Sequence, residues 1–143
     1  MNPPHDYSVS AAATNSGNVD LTAEGLSSLT SNAPKEFGGP GDQWSPEDLL
    51  VAAVADCFVL SFRAIAGMSK FEFTQISVTA TGKLDKVERD IQFTELSIVA
   101  NLTIPEGADE GRAQRLLEKA EATCFITNSL KATPHLQANI TVA

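Results

Sequence analysis

From Leu49 to Ala66 the chain is apolar on every helical face, interrupted only at Asp56, Ser61 and Arg63. The start of this run follows helix grammar: Ser45 suits the N-cap, Pro46 the first helical position, and Glu47 and Asp48 lie where the helix dipole favours negative charge. Gly67 marks its end. At ~1.5 Å per residue the helix is a rod of roughly 30 Å. With no polar face it needs covering on all sides.

The pattern changes to period two between Phe71 and Ile104. Phe71, Phe73, Ile76, Val78 and Ala80, then Leu96, Ile98, Ala100, Leu102 and Ile104, lie on one face, which predicts a long antiparallel hairpin bending at "LDKVERD". A slip of phase between Phe93 and Leu96 predicts a bulge, and Pro105 and Gly107 end the second strand. A second helix is expected from Asp109 to Ala122, with Ala113, Leu116, Leu117, Ala120 and Cys124 in one stripe, so Cys124 faces inward at or just past its end. Leu136, Ala138, Ile140 and Val142 alternate as a closing strand. Upstream, "YSVSAAAT" and "VDLTAEGLSS" form a short hairpin around Asn15-Ser16-Gly17-Asn18, and "NAPKEFGGPGDQW" is an irregular loop leading to the helix.

These elements make an α+β protein, a single domain over 1–143, with antiparallel sheets wrapped around a central apolar helix. A domain of 143 residues has too little material to cover such a rod alone, so an obligate homodimer with a large apolar interface is expected. The formal charge of −8, without a run of like charges, excludes nucleic acid and anionic membrane surfaces as main partners. The N-terminal "MNPPHDYSVS" has neither the basic nor the apolar region of a secretory signal, which points to the cytoplasm. Leu49–Ala66 reaches the length threshold for a membrane span, but Asp56 and Arg63 favour a buried core helix.

The candidate chemistry rests on two cysteines. In a reducing compartment Cys57 and Cys124 are free or redox-active thiols rather than a structural bridge. Either can also be a small apolar filler. Asp56 next to Cys57 argues that one face there is polar, because a carboxylate inside a helix core needs a partner or solvent. The acid also opposes a neighbouring thiolate, so a reactive Cys57 requires compensating donors or a cation. The cysteines and His5 and His135 show no CxxC, HxxxH or HExxH spacing, and GxSxG, P-loop and GxGxxG motifs are missing. No metal or organic cofactor is expected.

"SPEDLLVAAVADCFVLSF" followed by "AEATCFITNSL" resembles the OsmC/Ohr family of osmotically inducible and organic hydroperoxide resistance proteins, in its OsmC-like branch. The matching features are a Pro-Glu pair opening the helix, a Cys ten residues after the Glu (Glu47 and Cys57), and a second Cys ending a later helix before Asn-Ser. The resemblance implies an intertwined homodimer that reduces organic hydroperoxides. Cys57 is then the peroxidatic thiol, Cys124 the resolving thiol, and a dithiol such as a lipoyl group the reductant. It also implies a catalytic role for Glu47, although ten residues of straight helix separate it from Cys57 by about 15 Å, so that either the helix breaks or Glu47 serves the other subunit's site. The family's arginine upstream of Pro-Glu has no counterpart; Lys35 is the only cation before Glu47. Arg63 lies off the Cys57 face, and Arg89 or Arg112 of a second chain remains a candidate. The family's proline after the second Cys is Phe125 here. An apolar pocket lined by Phe37, Trp44, Phe58 and Phe125 is expected, suited to bulky hydroperoxides. The alternative reading is a non-enzymatic OsmC-like stress or small-molecule binding protein whose thiol is poorly activated.

Overall fold

The computed structural model describes residues 2–143. The expectation of one domain meets a chain that divides into two compact units, Met1–Leu50 and Val51–Ala143. In the first unit, strands β1 (Ser10–Ala12), β2 (Val19–Thr22) and β3 (Leu29–Ser31) form an antiparallel sheet in that order. The β1–β2 hairpin pairs Ser10 with Thr22 around the expected turn. Strand β3 carries no alternation that would have announced it. A 3-10 turn at Lys35–Phe37 ends on Gly38 in the left-handed region, φ 88°. Gly39 then passes so close to Ala33 that a Cβ would fall 1.7 Å from its carbonyl oxygen.

The helix α1 (Pro46–Met68) starts where the capping residues place it. The Asp48 N–H donates to Ser45 Oγ at 3.0 Å, while Ser45 Oγ and its N–H donate to Asp48 Oδ2 at 3.0 and 3.2 Å. This is a reciprocal capping box with Asp in the place usually held by Glu or Gln. The helix continues one residue past Gly67.

The second unit holds β4 (Gln75–Val87), β5 (Asp90–Ile104), α2 (Glu110–Thr123) and β6 (Pro134–Val142) beside the remainder of α1. Strand β5 is central in the order β4-β5-β6. The β4–β5 ladder runs through most of the expected bend, leaving Glu88 and Arg89 at the turn. Its register shifts where Lys83 pairs with Glu95 and Leu84 with Phe93, so Thr94 is the bulged residue that the phase slip signals. Phe71 and Phe73 precede the sheet instead of joining it; Phe73 meets Phe62 edge to face, with ring centroids 5.1 Å apart.

One strand corrects the expectation of antiparallel sheets. Strand β6 runs parallel to β5, from Leu96 opposite Pro134 to Ile104 opposite Val142. The chain leaves β5, returns through α2 and re-enters in the same direction, the crossover that parallel pairing requires. Asp109 caps α2, accepting from the Arg112 N–H at 3.1 Å.

The core of this unit joins three sets of residues. Val54, Phe58, Phe62, Ile65 and Ala66 of α1 pack with Ile98, Ala100, Leu102 and Ile104 of β5 and with Ala113, Leu116, Leu117 and Ala120 of α2. Each large side chain so buried contributes about 1.5–3 kcal/mol. The opposite face of α1 is bare: Leu60 is 51% and Met68 77% exposed. Within one chain the rod is therefore covered on one side only, in keeping with the expectation that a chain of this length cannot cover it alone. By length and composition α1 is apolar enough to cross a membrane, with a mean hydropathy of 2.0, yet one face of it forms the wall of a protein core.

Candidate functional site

Cys57 sits between the two faces of α1. Its neighbours in sequence and on the helix, Val54 and Phe58, are fully buried, whereas Cys57 is half-buried at the edge. One turn on, Ser61 places its Oγ 3.8 Å from the Cys57 sulfur. Cys124 is the residue that terminates α2, and it has no exposed surface. Both thiols are free, and they lie near enough for each to act on the protonation of the other. Two residues far apart in the chain thus meet because α1 and α2 pack against one sheet.

The turn after α2 wraps Cys124. Its carbonyl accepts from the Asn128 N–H at 3.0 Å and from the Thr127 hydroxyl at 3.2 Å, and Thr127 is itself buried. The Ile126 backbone favours the charged form of both thiols, and Thr127 favours that of Cys124. Burial pushes the Cys57 thiol up and the bond to Cys124 adds to this, with only partial relief from Ile126 and Ser61. Burial also works against a Cys124 thiolate, but the donors Cys57, Thr127 and Ile126 outweigh it and bring that thiol below its ordinary value. The two thiols titrate as a pair.

Cys57 opens onto a cavity of about 590 Å³ between α1 and the end of α2. Leu60, Ile65, Met68, Phe125 and Ile126 give it apolar walls, and Asp56 and Lys119 are its charged groups. Asp56 meets the cost of its position by reaching solvent. Among the described residues, no cation belongs to the groups that shift the protonation of either sulfur. Arg63 opens on a different cavity beside Phe71 and Phe73, and Arg112 donates to the Ser69 carbonyl with its guanidinium over Phe71 at 5.5 Å. Among the described residues, no group of three or more His, Cys, Asp or Glu side chains is placed to hold a metal ion.

The other expected site residues fall as follows. Phe125 lines the cavity. Phe58 does not: it is fully buried in the core, because one step along the helix from Cys57 turns its ring about 100° toward the sheet. Lys35 and Phe37 lie on the 3-10 turn and Trp44 in a bridge to Ser31, all in the N-terminal unit. Glu47 is in the first turn of α1, which runs unbroken to Met68, and its Oε1 is buried without a hydrogen-bond partner among the described residues. Sequence reasoning did not find Ser61, Thr127 or Lys119. Ser61 was readable as the residue four places after Cys57, on the same helical face. Lys119 precedes Ala120 of the apolar stripe and reads as an ordinary solvent-facing lysine.

The sequence model of the family described as OsmC-like protein matches residues 39–139. The chain belongs to the OsmC-like family. It is 33% identical over 88 residues to the peroxiredoxin OsmC of Escherichia coli (strain K12), a match that takes in 62% of this chain and 61% of that protein. It is 27% identical over 115 residues to the organic hydroperoxide resistance protein of Xanthomonas axonopodis pv. citri, covering 78% of this chain and 76% of the relative. Among solved structures, an OsmC-like protein of unknown function from Vibrio cholerae superposes with a TM-score of 0.87 at 17% identity, covering 94% and 99% of the two chains. An organic hydroperoxide resistance protein OsmC from Legionella pneumophila superposes at 0.76 with 25% identity, over 99% and 100%.

Proposed function

We infer that this OsmC-like protein is a thiol-dependent peroxidase that reduces organic hydroperoxides. The observation that carries this reading is the pair of free thiols close to each other, one buried and one opening onto an apolar cavity. Relatives named as a peroxiredoxin and as organic hydroperoxide resistance proteins support it. In the reaction the Cys57 sulfur attacks the terminal oxygen of the hydroperoxide. An S–O bond forms, the O–O bond breaks, and the alcohol leaves, so Cys57 becomes a sulfenic acid. The Cys124 sulfur then displaces hydroxide from it, closing a disulfide that an external dithiol, of lipoyl type, reduces back to two thiols. Access supports these roles: Cys57 faces the cavity, while Cys124 is buried behind it.

The working form is a homodimer in the cytoplasm. The bare side of α1, with Leu60 and Met68, together with Phe125 at 64% exposure, is the apolar surface a second copy covers. Across that interface the N-terminal unit contributes Glu47, with its unpartnered carboxylate oxygen, Lys35 as the cation toward it, and Phe37 and Trp44 as pocket walls. Bulky hydroperoxides are favoured over hydrogen peroxide because the walls are apolar.

The test is a thiol count and intact mass after one equivalent of cumene hydroperoxide. Loss of both thiols and of two hydrogen atoms, abolished by Cys57→Ser, is expected. Survival of both thiols refutes the enzymatic reading. One observation favours a second reading, binding without turnover: burial raises the Cys57 thiol and no cation among the described residues offsets it. Stoichiometric retention of an unreduced hydroperoxide is its signature.

A further inference from the structure

Two hydroxyl groups stand on the wall of the Cys57 cavity, Ser61 on α1 and Thr123 at the end of α2. A serine or threonine inside a helix commonly returns its hydroxyl to the carbonyl four residues earlier. Thr123 does so, donating to the Lys119 carbonyl at 2.8 Å. For Ser61 that carbonyl belongs to Cys57, yet its hydroxyl is directed elsewhere. Among the described residues its one hydrogen-bond contact is the Cys57 sulfur, at 3.8 Å. A mid-helix hydroxyl is thus committed to the reactive atom inside an otherwise apolar chamber.

That contact is not neutral toward ionisation. A thiol can donate to the hydroxyl or accept from it, but a thiolate only accepts, so the hydroxyl must then be the donor. The bond becomes charge-assisted in the ionised state and therefore favours it. The rest of the surroundings supply little. Val54 and Phe58 on α1 are apolar, and Asp56 is of the wrong sign. From α2 come Cys124, which together with burial raises the Cys57 thiol, and the exposed side chain of Lys119. Glu121, further along α2, interacts with His135 of β6 and with Glu118. Strand β5 presents Leu96, Ile98 and Ala100, which carry no charge. Apart from Ser61, the group that favours the charged form of Cys57 is the backbone of Ile126.

We propose that Ser61 is a catalytic residue of the Cys57 site, its hydroxyl donating to the sulfur as the thiol ionises and keeping that bond during attack on the hydroperoxide. This rests on the peroxidase reading and deepens it. The Cys57 proton leaves to water in the open cavity. The freed electron pair on sulfur forms the S–O bond to the terminal oxygen, the O–O bond breaks, and the alkoxide takes a proton from water and departs as the alcohol. The Ser61 proton stays on its own oxygen throughout. One thiol and one hydroperoxide give one sulfenic acid and one alcohol.

Two measurements test this on the full-length protein carrying Cys124→Ala, which leaves Cys57 as the single thiol. In the first, the rate of alkylation by iodoacetamide is followed against pH without any peroxide. Adding Ser61→Ala should move the midpoint up by about half to one pH unit, which slows the reaction about three- to tenfold below the midpoint. Ser61→Thr, which keeps a hydroxyl, should hold the midpoint near that of the parent. A midpoint unmoved by Ser61→Ala, or moved equally by Ser61→Thr, overturns the proposal. In the second, the single-turnover rate of sulfenic acid formation is measured with cumene hydroperoxide. Ser61→Ala should slow it by the same factor at low pH and leave it unchanged at high pH, where Cys57 is ionised in both proteins. Equal slowing at every pH overturns the role given to the hydroxyl and leaves the peroxidase reading intact. If no sulfenic acid forms in the parent the peroxidase reading fails, while the alkylation profile still decides whether Ser61 acts on the sulfur.

Discussion

Oxidation of the thiol pair should stabilise the fold measurably, and the size of the effect follows from the chain. Cys57 and Cys124 are 67 positions apart. Closing a loop of that length removes roughly 15 cal/mol/K from the unfolded ensemble, or about 4 kcal/mol at 25 °C. The cost in the folded state is small, because α1 and α2 already hold the sulfurs close together and Cys124 lies at a helix end, where its backbone can adjust. For a chain of this size each kcal/mol moves the melting temperature by about 3 °C, so the oxidised form should melt roughly 10 °C above the reduced form. The assay is a thermal melt by circular dichroism on samples oxidised with one equivalent of cumene hydroperoxide or reduced with dithiothreitol. Protein concentration is matched, since association also stabilises. Cys57→Ser, treated both ways, should show no difference. An oxidised wild type that has lost both thiols yet melts no higher than the reduced protein would refute the reasoning, because its bond would not tie these two helices.

Phe62→Ala removes a fully buried ring and its edge-to-face partner contact with Phe73, and should cost about 3–5 kcal/mol in denaturant unfolding. Gly39→Ala places a methyl group 1.7 Å from the Ala33 carbonyl oxygen, so the loop before α1 must rearrange; cleavage by a protease within residues 32–44 should rise sharply compared with wild type. Ser45→Ala deletes the N-cap of α1 and should lower stability by about 1 kcal/mol, read as a lower urea midpoint at an unchanged slope. Burial raises the Glu121 carboxyl, with His135 working against this and Glu118 adding to it, so its ionisation weakens the fold as pH climbs through the raised value. Glu121→Gln should therefore raise the urea midpoint at neutral pH and leave it unchanged at pH below the ordinary glutamate range.

The elements of the second unit were legible because each has strong punctuation and a clean period. The Ser45-Pro46 start, the β5 alternation from Leu96 to Ile104, the α2 stripe and the bulge between Phe93 and Leu96 all follow from side-chain spacing alone. The direction of β6 was not legible, since alternation says which residues share a face and nothing about which way a strand runs. The incomplete cover of α1 was legible from chain length, although an apolar face shows that a surface wants cover without showing what supplies it. In the site, the two cysteines stood out by type. Thr127 and the N–H of Ile126 could not, because they act through a turn whose backbone geometry leaves no pattern in residue order. Phe58 was misplaced because adjacency in sequence was taken for adjacency in the pocket, when successive helical residues diverge.

The bulge at Thr94 divides β5 into two halves of opposite phase. Toward Ile104 the even-numbered residues face the core, while toward the turn Phe93, an odd one, sits opposite Leu84 and against Gly82. Thr94 acts as a comma in the strand: excising it would leave every other side chain on its present face, whereas excising a residue from the middle of the Leu96–Ile104 run would invert the side chains on one side of the cut. The distal end of the hairpin is thus a cassette, exchangeable for a segment of different length so long as the comma travels with it or is dropped cleanly.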